Sequence, residues 1–111
     1  MGATNASMLA DAMNRLWKQF LPQIEDRVST LEKAAAALRE GSLTPAQRDE
    51  AYSDAHKLAG VLGTFGLDRG TELAREAEQL YASGSLLSSN PNGRPAELAS
   101  QLRDIVATRS R

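Results

Sequence analysis

The sequence predicts an all-α fold, an antiparallel up-and-down four-helix bundle, and three observations carry that prediction. Apolar residues recur every three or four positions through most of the chain, the spacing of helices that bury one face. Turn and capping residues at 41–45, at Gly66 and across 83–94 divide the pattern into segments of helical length. No segment reads as a strand, and short connections place consecutive helices antiparallel.

The first segment runs through Leu9, Met13, Leu16, Trp17, Phe20, Ile24, Val28, Leu31, Ala35 and Leu38. Pro22 interrupts it and disfavours helical geometry at Leu21. The expectation is a kink there, or two helices with Pro22 in the first turn of the second, so the fold class leaves room for an additional N-terminal helix. Gly41, after Arg39 and Glu40, is the expected C-terminal stop. Trp17 with Phe20 would plug one end of the core or cover the side of the bundle.

The second segment starts at SLTPAQRDE, with Thr44 as N-cap and Pro45 at the first helical position. Ala51, Ala55, Leu58, Leu62 and Phe65 trace one apolar stripe that ends at Gly66, where a left-handed residue fits. A third helix is expected from about Leu67 to Ala82, with Gly70, Leu73, Ala74, Ala77, Leu80 and Tyr81 facing inward and Gly84 as its stop. Residues 83–94, SGSLLSSNPNGR, read as a loop. Pro95 then opens a last helix with Leu98, Leu102, Ile105 and Val106 on its inner face.

A chain of 111 residues is expected to form a single helical domain over 1–111, ordered from about residue 8 to about residue 108, with one modest core. Thirteen basic and fourteen acidic side chains nearly cancel. No basic stripe is present, which argues against nucleic acid as a partner. With no cysteine, disulfides, thiol catalysis and thiolate metal sites are excluded, and a reducing, cytoplasmic setting is expected. The apolar runs are too short for a membrane span. The start, MGATNASM, lacks the basic and apolar regions of a secretory signal. Position 6 is not serine or threonine, so the myristoylation pattern fails too.

Chemistry concentrates in AHKLAGVLGTFG, residues 55–66, which holds the only histidine, His56, and three glycines. With Ala51 set at zero and about 100° per residue, Ala55, Leu58, Leu62 and Phe65 fall within about 40° of it, whereas His56 lies near about 140°. His56 is therefore expected on the exposed side, with Gly60 and Gly63 following it along the same face. A lone helical histidine is ordinarily a surface or boundary residue. Gly66 reads as a cap, and Gly63 could serve tight helix packing. Gly60 points away from the packing stripe, however, and an interior helical glycine costs about 1 kcal/mol relative to alanine. Bare backbone beside an imidazole admits the close approach of another molecule.

Free imidazole titrates near about 6.5, so it is mostly neutral at physiological pH and nucleophilic without a dedicated base. No histidine or carboxylate stands three or four positions after His56, so no metal site is expected. Hydrolytic catalysis would need a second acid or base and a water-excluding cavity. Lys57 adjoins the histidine and could offset the roughly two negative charges of a phosphoryl group, though a lysine there is equally an ordinary solvated one.

His56-Lys57-Leu58-Ala59-Gly60, followed by Gly63, Gly66 and Leu67 in an all-helical frame, resembles the histidine phosphotransfer (HPt) domain of multistep bacterial phosphorelays. The resemblance covers about Phe20 to Leu80. It implies a four-helix bundle that accepts a phosphoryl group on an exposed histidine from the aspartyl phosphate of a receiver domain and passes it to another receiver. Carried over residue by residue, His56 is the phosphoacceptor, Gly60 the gap that admits the receiver, and Gly63 a small residue on the same face. The family commonly has lysine at the position of Ala59, which would shift charge compensation to Lys57. It often has a glutamine on the following helix that reaches the histidine. Here Glu78 or Gln79 occupies that neighbourhood, and neither is assigned.

The resemblance further implies a carrier without kinase activity of its own, since no glycine-rich nucleotide loop is present. It needs no cofactor, Mg²⁺ being expected only on the receiver of a response regulator or hybrid histidine kinase. The chain is expected to act as a monomer and could be one piece of a multidomain signalling protein. Two alternatives stand beside this reading. One is a degenerate helical module that docks a receiver without phosphate chemistry, and the other an enzyme using His56 as nucleophile or base in a concave pocket.

Overall fold

In the computed structural model, which describes residues 5–82 and 93–111, four helices form an antiparallel bundle: α1 (Asn5–Arg39), α2 (Pro45–Thr64), α3 (Asp68–Ala82) and α4 (Arg94–Arg109). Each packs on its neighbours in the chain, and α4 closes the ring against both α3 and α1. No helix among the described residues is long and apolar enough to cross a membrane. The expected stop at Gly84 and most of the 83–94 loop lie outside the described residues.

Two of the connections are built from capping chemistry. At the end of α1, Gly41 has φ 72°, and the backbone N–H of Ser42 donates to the Ala37 carbonyl at 2.8 Å. At the end of α2, Gly66 has φ 70° and the Leu67 N–H donates to the Leu62 carbonyl at 2.9 Å. Both satisfy otherwise orphaned carbonyls with a left-handed residue that glycine adopts without a Cβ penalty. The start of α2 is a capping box: Thr44 Oγ1 accepts from the Gln47 N–H at 3.1 Å, and Gln47 Oε1 accepts from the Thr44 N–H at 2.8 Å.

Pro22 lies inside one continuous helix, so neither a break nor a separate N-terminal helix occurs there. The proline removes the bond that would run to the Lys18 carbonyl, and both residues are exposed, so water can satisfy that oxygen. Buried Trp17 on one side, and Ile24 and Val28 on the other, hold α1 in register across the proline. Packing thus overrides the local preference.

The first turns of α1 carry exposed apolar residues, Met8 and Leu9. At 35 residues the helix extends about 52 Å at 1.5 Å per residue, far longer than the 15 residues of α3 or 16 of α4. Leu9 and Leu16 are consequently exposed, as is much of Phe20. The core begins at Trp17 and continues through Ile24, Val28, Leu31, Leu58, Leu62, Leu73, Leu98 and Leu102. Trp17 plugs the end where α2 and α4 terminate: its ring meets Phe65 edge-on at 5.1 Å, and its Nε1–H donates to Ser110 Oγ at 3.0 Å.

Every α3 residue expected to face inward is buried. Among them Gly70 is the glycine most closely approached by other helices: a Cβ there would lie 3.0 Å from Leu62 Cδ1 and 3.5 Å from Ile105 Cγ2, so Leu62 would have to give by a few tenths of an ångström. That close approach brings α3 down onto α2 and positions the site.

Candidate functional site

The burial of Ala51, Ala55, Leu58 and Leu62 sets the rotation of α2 about its axis and leaves His56 outside. Its side chain is 70% exposed, midway along the helix. Lys57 and Gly60 are exposed too. A Cβ built on Gly60 meets nothing within 4 Å, so internal packing does not require a glycine at that position. Gly63 differs, since a Cβ there would stand 3.4 Å from Thr71 Oγ1. Thr71 Oγ1 in turn donates to the Ala59 carbonyl at 3.3 Å, a bond across the seam between α3 and α2. Ala59 itself is buried at that seam.

Across the seam, Glu78 of α3 reaches the histidine. Its Oε1 lies 2.9 Å from His56 Nδ1, with the Glu78 side chain only 21% exposed. A carboxylate can only accept, so Nδ1 carries a proton, and in the neutral ring the lone pair is then on Nε2. The contact therefore does two things at once: it orients the ring and turns Nε2 toward solvent as the nitrogen not engaged by Glu78. His56, Ala59, Gly60, Arg75, Glu78 and Gln79 line a surface hollow between the two helices. The hollow does not enclose the imidazole, which lacks the water exclusion that hydrolytic chemistry would need. Among the described residues no three histidine, aspartate or glutamate side chains gather into a metal-binding group.

Sequence reasoning left Glu78 and Gln79 open and overlooked Arg75. The signal available was the α3 stripe: Ala74 and Ala77 are buried, and Glu78, one turn beyond Ala74, flanks that stripe on the same strip as Arg75. Lys57 does not line the hollow, because successive residues on a helix point about 100° apart.

Residues 15–109 match the Hpt domain family. The chain belongs to that family. As an Hpt domain it is a histidine phosphotransfer module of phosphorelays, and such domains interact with receiver domains. A relative is the protein RcaC of Microchaete diplosiphon, 39% identical over 66 residues that cover 60% of this chain and 10% of RcaC. The Hpt chain thus spans about a tenth of the length of that curated relative. No solved structure gives a significant match.

Proposed function

We propose that this Hpt domain accepts a phosphoryl group on His56 Nε2 from the aspartyl phosphate of a receiver domain and delivers it, in the cytoplasm, to the aspartate of another receiver. The reading rests on the 2.9 Å contact of Glu78 with Nδ1 of an exposed imidazole. In the forward step the Nε2 lone pair attacks phosphorus. The N–P bond forms as the O–P bond of the acyl phosphate breaks, and that electron pair leaves with the receiver's carboxylate. Nδ1 keeps its proton, so the ring gains a positive charge opposite the Glu78 carboxylate.

Delivery is the reverse with a second carboxylate as nucleophile. The N–P electron pair returns to Nε2, and a neutral imidazole leaves rather than an imidazolate. Phosphoryl transfer depends mainly on positioning and charge neutralisation. On this reading the receiver supplies the aspartate and the Mg²⁺. Gly60 leaves bare backbone for the receiver to approach, Gly63 keeps the same face low, and Lys57 adds a positive charge at its edge.

Incubation with phosphorylated receivers from the organism that encodes the chain tests this. The expected product is an acid-labile, base-stable phosphate on the protein, abolished by His56→Gln. Labelling that persists in His56→Gln would overturn the site, and receiver binding with no labelling of the wild type would leave only the docking module.

A further inference from the structure

We infer that Arg75 of α3 binds the phosphoryl group on His56 and supplies the positive charge that no residue of α2 brings into the hollow. The inference deepens the proposed function and rests on it. A phosphorylated His56 places roughly two negative charges beside the Glu78 carboxylate, which already lies 2.9 Å from the ring. The positive charge on the phosphorylated ring offsets only one of these three negative charges, so the hollow calls for a further cation.

Lys57 does not line that hollow, and Arg75 does. Ala59 contributes only a methyl group and Gly60 no side chain, so α2 adds little bulk to the hollow that His56 and Arg75 both line. The pairing of the neighbouring arginines supports the same assignment. Of the five arginines on α3 and α4, Arg69 pairs with Glu72, Arg94 with Glu76 and Glu97, and Arg103 with Glu32. Arg109 donates to Asn14 and lies over Trp17. Arg75 alone of the five has no hydrogen-bond or ion-pair partner among the described residues. Its planar fork of donors matches phosphoryl oxygens, which carry the charge in the transition state and in the product alike.

Phosphoramidate, a small donor that needs no receiver docking, separates phosphoryl binding from partner recognition. The full chain and its Arg75→Gln and Arg75→Lys variants are labelled with it and followed by ³¹P NMR. Arg75→Gln is expected to be labelled at His56 about tenfold more slowly, the worth of one hydrogen bond to a charged group. Its phosphoryl resonance should titrate at higher pH than in the wild type, because the dianion loses its counter-charge. Arg75→Lys restores part of both effects. Wild-type rate and titration in Arg75→Gln would overturn the role of Arg75 while leaving His56 as acceptor. No labelling of His56 in the wild type would overturn the underlying function and this inference together.

Discussion

Glu78 Oε1 and His56 Nδ1 lie 2.9 Å apart, bridging α3 and α2 across 22 positions of sequence. The pair gives a surface histidine a fixed hydrogen-bond partner at Nδ1, and the Glu78 side chain is itself only 21% exposed. Removing the carboxylate should release the ring. In Glu78→Leu, ¹⁵N–¹H long-range spectra are expected to show the proton moving from Nδ1 toward Nε2, and receiver-mediated transfer slowing about tenfold, as for loss of one hydrogen bond to a charged group. Glu78→Gln retains an acceptor without the charge and should fall between. An unchanged tautomer in Glu78→Leu would refute the assignment.

Gly60 separates stability from function. Because a Cβ there meets nothing, Gly60→Ala should stabilise the fold by up to about 1 kcal/mol through helix propensity alone. Gly60→Gln should also fold, and it should still accept phosphate from phosphoramidate. Transfer from a receiver, however, is expected to drop about tenfold or more, since misplacement of the reacting groups by even an ångström is costly. Thermal melts and single-turnover transfer on the same samples check both halves. Normal receiver transfer in Gly60→Gln would remove Gly60 from the docking face.

Acid stability reports on the link between α3 and α4. Arg94 Nη2 donates to Glu76 Oε1 at 2.7 Å, and Arg94 Nε donates to the other oxygen. These hydrogen bonds hold the Glu76 carboxyl below its ordinary value of 4.5. A depressed folded-state value means that the contribution is fully present above about pH 4.5, the ordinary carboxylate value, and is lost as pH falls through the lowered value. With 41% of the Glu76 side chain exposed, solvent screening limits the pair to about 0.2 to 1 kcal/mol. Urea titrations between neutral pH and pH 3 should therefore show Glu76→Gln less stable than wild type near neutrality, with the difference shrinking at the acid end. A constant difference across that range would contradict the linkage.

The inward residues of α3 and the inward stripe of α2 were legible because a bundle helix must bury one face, and that requirement writes a 3.6-residue period into the chain. The exposure of His56 follows from the same period. The first turns of α1 mark the limit of that inference. Leu9 and Leu16 keep helical spacing but are exposed, since periodicity describes the helix and not whether a neighbour is long enough to cover it. Pro22 shows the opposite case, a local break signal overruled by packing on both sides.

The amino-acid sequence by itself determined the four helices, their caps at Thr44, Gly41 and Gly66, the outward direction of His56 and the bare backbone at Gly60, all of which follow from local geometry and one-sided burial. Only the tertiary structure decided which α3 residues meet the imidazole. Glu78 rather than Gln79 reaches Nδ1, and Arg75 rather than Lys57 shares the hollow, because those choices depend on the register between two helices. That register brings Gly70 of α3 against Leu62 of α2, a contact between residues that no pattern within either helix encodes.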